Sequence, residues 1–534
     1  LGYAGSGASY VSPALAIQSQ YAAGYFQDDI RLTSRLTLNI GIRYDLETPR
    51  TERYNRLNWF DFTAASPLAA ASGISDLHGG LKFVGVGGAS RLQQNTDRNN
   101  FAPRFGLAYT VDSKTVIRGG YGIFYVPMTI NALGASVGAQ GYSTSTSMVR
   151  TLDSGLTPAN VLSDPFPDGL NQPSGNADGM ATLAGQSIRG IDRNDRTGYV
   201  QQYNIDIQRE LPGGILLDAA YSGSHSVKLF TAWNEDQLNP SYYSMGSALQ
   251  TQVTNPFYGL ISLGTLASST VSRAQLLLPY PQFTGVTGVF SAGNSTYNSF
   301  QLKVERRMSS GLSFLIGYTL AKNIGDPNPI YGESSSGFQN NYDRRSERSL
   351  LTTDVAQRFV ASYTYELPFG RGKHWGSGWN RFANLIGGGW HINGITTFQS
   401  GMPLIIGLSS ANTYGGSRPN STGESAYLPP SERTVNKWFN TSVFTQPPAY
   451  SLGNVGRTLP DARKPGVNNF DFSVFKMFKF TERLGMQFRA EAFNVFNHTR
   501  FGSPNTSFGS SSFGRISSTG GDPRIMQMAL KLSF

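Results

Sequence analysis

Along much of this chain, bulky apolar residues fall at every second position. Near the end, Met526, Met528, Leu530, Leu532 and Phe534 alternate with Gln527, Ala529, Lys531 and Ser533. Successive side chains of a strand point to opposite faces, so a period of two predicts a strand with one apolar and one polar face. Leu484, Met486, Phe488, Ala490 and Ala492 alternate likewise with Gly485, Gln487, Arg489 and Glu491. The turn Thr481-Glu482-Arg483 leads back to an earlier strand, Asn468 to Lys479. The clearest case is Leu36 to Glu47. There Leu36, Leu38, Ile40, Ile42, Tyr44 and Leu46 oppose Thr37, Asn39, Gly41, Arg43 and Asp45.

The same reading gives a strand from Gln20 to Arg31, and a hairpin from Phe101 that turns at Asp112-Ser113-Lys114 and returns through Tyr125. Another hairpin runs through Tyr203, Ile205 and Ile207, turns at Pro212-Gly213-Gly214, and covers Ile215 to Ser222. Phe300, Leu302 and Val304 turn at Ser309-Ser310-Gly311 into Leu312, Phe314, Ile316, Tyr318 and Leu320. Phe359 to Leu367 pairs with Trp390 to Gln399 through a long connection, in which Trp379 to Ile386 reads as one or two helical turns. Residues 1–19 read as loop. The total is thirteen strands.

Every second connection is short, apart from Pro368 to Gly389, and the others run to tens of residues. Outer-membrane barrels keep short turns in the periplasm and long loops outside, with an apolar band toward lipid and a polar lumen. The fold expected is therefore all-β, an antiparallel transmembrane β-barrel with long extracellular loops and Phe534 at the periplasmic rim. Residues 1–534 form part of that barrel, with no separate soluble domain. An odd count beginning outside implies at least one further strand before Leu1, since closed bacterial barrels have even numbers.

Composition agrees. Charged residues are 15% of the chain, against about 25% in soluble domains, a deficit that a lipid-facing wall produces. No run of about 18 apolar residues exists, so membrane helices are excluded. With no cysteine, disulfides, zinc-thiolate sites and a Cys nucleophile are excluded. The net charge of +10 comes from basic residues in no run and no aromatic-interleaved stripe, so nucleic acid is not an expected partner. Phosphate on the outer leaflet, in lipid or lipopolysaccharide, is the better partner for some of them. Leu1 to Gly7 has neither the charged start nor the apolar core of a signal peptide.

Candidate chemistry is sparse. His78, His225, His374, His391 and His498 lack partners at metal-ligand spacing, no G-x-S-x-G elbow follows a strand, and no cofactor is called for. Charges on the polar strand faces, Arg43, Asp45, Arg104, Arg118, Asp218, Lys303, Glu305, Arg489 and Glu491, are expected to line the lumen. On the lipid side at mid-membrane each would cost roughly 2–4 kcal/mol. Tyr21, Tyr25, Tyr125, Tyr363, Tyr365, Trp390 and Phe534 fit the interfacial girdles. The loop aromatics Trp59, Trp233, Tyr242, Tyr243, Tyr414 and Trp438 serve either packing within the loops or stacking on a ligand.

Several stretches also carry a resemblance: Glu491 to His498, Ser512 to Ile516, Ala529 to Phe534, Tyr203 to Leu211, Leu278 to Phe283, and Leu367 to Lys373. Together they resemble an Oar-like TonB-dependent outer-membrane receptor over nearly the whole chain. The resemblance implies a parent with an N-terminal β-sandwich, a plug domain and a barrel of about 22 strands, of which these are the C-terminal thirteen. It also implies a TonB contact upstream, a bulky solute as cargo, and the outer membrane of a Gram-negative bacterium as location. Met526, Met528, Leu530, Leu532 and Phe534 resemble the terminal strand that the barrel-assembly machinery recognises. A passive porin, or a surface adhesin on the same scaffold, is the alternative; an enzyme is not expected.

Overall fold

The computed structural model describes residues 6–127, 138–326 and 338–534, apart from 411, 413, 415 and 482. Its main sheet contains β1 (Tyr21–Arg31), β2 (Leu36–Glu47), β3 (Phe101–Asp112), β4 (Thr115–Val126), β5 (Gly198–Leu211), β6 (Ile215–Asn234) and β7 (Gly285–Ser309). It continues through β8 (Leu312–Gly325), β9 (Gln357–Glu366), β10 (Trp390–Gln399), β11 (Val467–Lys479), β12 (Gly485–Phe493) and β13 (Ile525–Ser533). Each strand pairs with the next in sequence, so the sheet is one continuous meander. Among the described residues β1 pairs only with β2, and β13 only with β12, which leaves two sheet edges. These thirteen strands are the ones expected from the period of two.

Local chemistry sets the turns. Between β1 and β2 the Thr33 hydroxyl accepts from the backbone N–H of Arg35 and Leu36, at 3.1 and 3.0 Å. Between β11 and β12 Thr481 does the same for Arg483 and Leu484, at 3.3 and 2.9 Å; Glu482 of that turn lies outside the described residues. Ser310 and Gly311 both hold positive φ, 51° and 81°. That pair of left-handed residues matches the twist of a tight hairpin.

The register separates the two faces, because directly opposed side chains share a face. On the apolar face one row runs Leu38, Leu107, Gly119, Ile205, Tyr221, Phe300 and Leu320 across seven strands. A second runs Leu217, Val304, Ile316, Ala361, Thr396 and Phe470. On the polar face Gln208, Asp218, Lys303 and Gly317 line up in the same way.

Two strands outrun the sequence reading. β6 continues to Asn234 rather than stopping at Ser222, and β7 begins at Gly285. About 9–11 residues cross a bilayer, so these ends stand clear of it. Beyond the lipid neither face needs bulky apolar groups, and the alternation fades while the backbone ladder continues. Of residues 1–19, the first five lie outside the described residues; Ala8–Val11 is not the loop expected there but forms a ribbon with Thr144–Ser147.

The buried core lies in the long loops rather than in the wall. The ribbon Asn58–Ala65 with His78–Phe83 packs Phe60, Leu81 and Phe83 against Ile188, Phe257, Leu266 and Phe283. A second core joins Leu404, Ile406, Phe439, Val443, Phe444 and Val455. At the other end of the sheet, the helical turns expected at Trp379 to Ile386 are one short helix, α1 (Arg381–Gly387). The Asn380 side chain caps it, accepting from Ala383 N–H at 2.8 Å.

Candidate functional site

The polar face carries charge in a repeated arrangement. Arg43 and Asp45 on β2, Lys303 and Glu305 on β7, and Arg489 and Glu491 on β12 each stand two residues apart on one strand. Period two puts both members of a pair on one face, and they meet at 2.8, 3.5 and 3.5 Å. Asp45 also accepts from the Tyr21 hydroxyl, to which Arg43 donates at 3.0 Å. On neighbouring strands Arg118 donates to Gln208 at 2.7 Å, and Gln208 donates to Asp218 at 3.0 Å. The Arg104 guanidinium lies 4.8 Å from the Phe124 ring centre. All nine charges expected on this face share it by register. They form no single cluster. They are spread along the sheet, and most have a partner on the same or the neighbouring strand.

Two aromatics expected in the lipid girdle lie on this polar face instead. Tyr21 and Tyr25 oppose Glu47 and Arg43 across β1 and β2, on the polar face. Trp390 keeps to the apolar face with Tyr365 and Tyr363, in register with Ile392 and Gly394. The Tyr363 ring lies over Gly394, where a Cβ would collide with the phenol oxygen.

Most loop aromatics are engaged in packing. Trp59 is buried with Leu57 and Val84, and the Arg193 guanidinium sits 4.1 Å from its ring centre. Trp233 meets Phe338 edge-on at 5.0 Å, Tyr414 stacks on Tyr450 at 6.2 Å, and Trp438 donates to the Arg463 carbonyl at 2.8 Å. Tyr243 packs beside Leu238 and Leu249, whereas Tyr242 is exposed.

Sequence reasoning missed the ion pairs that join the loops, in each of which the acid is buried. Arg418 pairs with Glu347, both almost fully buried. Glu347 also accepts from the N–H of Gln339 and Asn340 at 2.9 and 3.1 Å. Arg463 pairs with Asp354 at 2.7 Å, Arg344 with Asp326 at 3.0 Å, and Arg196 with Asp97 at 2.8 Å. Arg457, also buried, donates to the Gly325 carbonyl at 2.7 Å. The partners of these arginines lie between 18 and 132 residues away in the chain, so no local pattern could have announced them.

Three loop acids are held against ionisation. Burial, helped by the charges of Asp192 and Glu235, pushes the Asp195 carboxyl up to about 7. Burial alone raises Asp236 to about 7, although Tyr280 N–H donates to it at 2.8 Å. Glu235 is raised to about 6 by burial and by Asp192. No group of three or more His, Asp or Glu among the described residues could hold a metal ion.

A meander of amphipathic strands, short turns at one end and long loops at the other define an outer-membrane β-barrel protein. The chain belongs to the outer membrane beta barrel domain family, whose pattern matches residues 1–527. Its place is the outer membrane. The comparison with curated proteins returned no match. Among solved structures the chain is similar to the outer membrane transporter YddB from Escherichia coli, at 9% identity and a TM-score of 0.44, over 97% of this chain and 55% of that one. It is also similar to the pyoverdine outer membrane receptor FpvA from Pseudomonas aeruginosa, at 11% identity and a TM-score of 0.42, over 97% and 43%. The siderophore receptor PiuA from Acinetobacter baumannii gives 10%, 0.39, 97% and 43%. The chain thus spans about half the length of these proteins or less.

Proposed function

We propose that residues 1–534 are the C-terminal barrel portion of an Oar-like TonB-dependent receptor, which captures a bulky solute outside and admits it along a polar wall. One observation carries the reading: the long loops are a packed lobe with hydrophobic cores and buried ion pairs of their own. Ordering so much loop costs roughly 1–2 kcal/mol of entropy per residue, a cost that only a fixed surface requires. A fixed outer surface suits recognition of a large solute. The charge pairs Arg43/Asp45, Lys303/Glu305 and Arg489/Glu491 keep the inner wall hydrophilic, and Tyr242 offers an aromatic contact at the lobe surface. A plug and a TonB contact would be supplied by regions outside this chain, and the barrel-assembly machinery would read its terminal strand.

A passive porin would share the wall, so conductance separates the two. In a planar bilayer the purified natural gene product is expected to stay closed, because a plug fills the lumen, and to conduct only after urea loosens it. Steady conductance steps without urea would refute the receptor reading and favour the porin.

A further inference from the structure

The connection from Pro368 to Gly389 is the exception among the short turns. Its helix α1 has Phe382, Leu385 and Ile386 at positions i, i+3 and i+4, a single stripe. All three are exposed, at 70%, 52% and 58%. Asn384, off that stripe, faces the protein: its side-chain oxygen accepts from Arg371 N–H at 2.7 Å. The helix therefore turns its apolar side away from the chain.

Where α1 sits follows from its far end. The Trp390 indole donates to the Ile386 carbonyl at 2.8 Å. The Lys476 ammonium donates to the carbonyls of Leu385 and Ile386. Trp390 and Lys476 oppose each other in register and share the apolar face with Ile392 and Val474. Lys476 is almost fully buried there, between the Trp390 and Phe478 rings. Carbonyls at a helix C-terminus carry partial negative charge, which suits an ammonium removed from water. Meanwhile Lys373, earlier in the connection, pairs at 2.7 Å with Glu366 on the polar face. The connection thus crosses the rim and ends outside the wall. Exposed Phe480, Leu484 and Phe534 continue the apolar surface alongside.

We propose that α1 is a membrane anchor, laid on the outside of the wall at its periplasmic rim, with Phe382, Leu385 and Ile386 inserted among the phospholipids of the inner leaflet. Lys476 and Trp390 fix its C-terminal end. Exposed Arg381, beside Phe382, stands where an interfacial helix meets lipid phosphate. The lipid surface is chosen over a protein partner because the stripe is continuous with the wall's apolar face.

Residues 1–534 hold no cysteine, so once any cysteine elsewhere in the natural gene product is replaced by serine, single labels are direct. Phe382→Cys, Ile386→Cys, the wall position Ile40→Cys and the turn position Ser34→Cys would each carry an environment-sensitive fluorophore. The natural gene product would be reconstituted in phosphatidylethanolamine–phosphatidylglycerol vesicles. Labels at 382 and 386 should behave like 40, quenched by nitroxide phospholipid several-fold more than 34 and shielded from iodide. Adding Lys476→Met should lower lipid quenching at 382 several-fold and leave 40 unchanged; no change at 382 would refute the tether. Labels at 382 and 386 open to iodide while 40 is lipid-quenched would overturn the anchor and leave the barrel standing. Shielding from iodide without lipid quenching would overturn it in favour of a protein cover.

Discussion

Leu315 and Ile316 are adjacent, both apolar, and separated only by the face of β8 they occupy. Ile316 stands between Val304 and Ala361 on the apolar face. Leu315 stands between Glu305 and Ser362 on the polar face. Ile316 lies five residues beyond the Ser310-Gly311 turn. At about 3.3 Å per residue and a tilt of about 45°, that is roughly 12 Å, near the middle of an apolar band about 25 Å tall. Arg placed there should cost roughly 2–4 kcal/mol. Arg at Leu315 meets water and the Glu305 carboxylate, so its cost should be about 0–1 kcal/mol, the loss of a half-exposed leucine offset by the new pair. A scale of residue hydrophobicity alone predicts equal effects. Urea titrations of Ile316→Arg and Leu315→Arg folding into vesicles, read by heat-modifiable gel migration, measure the difference. Equal costs, or a larger one at Leu315, would refute the assignment of faces.

The lobe should respond to pH through its buried acids. Asp195, Asp236 and Glu235 are raised above their unfolded values, so the folded lobe holds protons that the unfolded one releases. Its stability should therefore fall as pH rises from about 4 to about 7 and change little above that; proteolysis of the loops should be slower at pH 5 than at pH 8, and Asp236→Asn should reduce the difference. The Arg418–Glu347 pair predicts that Arg418→Met destabilises the lobe by about 3–5 kcal/mol, because a buried carboxylate loses its partner; faster loop cleavage with the wall intact would register it. Deleting Phe534, which is wholly exposed, should lower the amount inserted in cells far more than it lowers the stability of refolded protein, and unchanged insertion would make it an ordinary rim residue.

The wall was legible in the sequence because the bilayer imposes its rule residue by residue. Apolar groups must recur at period two wherever a strand faces lipid, and a run such as Leu36 to Leu46 states that locally. The turns were legible for a similar reason, since Thr33 and Thr481 bond to backbone only two or three residues away. Facing followed wherever the alternation was clean, and all nine wall charges share the polar face. It failed at Tyr21 and Tyr25, whose amphipathic rings are at home on either side; the register with Glu47 and Arg43 decided it.

Only the tertiary structure revealed the lobe. Asn58 to Phe83, Phe257 to Phe283 and Leu404 to Leu459 look like polar loop in one dimension, because their apolar residues find partners tens to hundreds of residues away. The same holds for Arg418 with Glu347 and Arg463 with Asp354, charges that a linear reading leaves in solvent. It holds for Lys476 too. Its place on the apolar face is tolerable only because the end of α1, some ninety residues earlier in the chain, returns to meet it. Lipid acts on each residue of a strand separately and so writes its pattern into the sequence. Packing between distant loops is a property of pairs, and no single stretch records it.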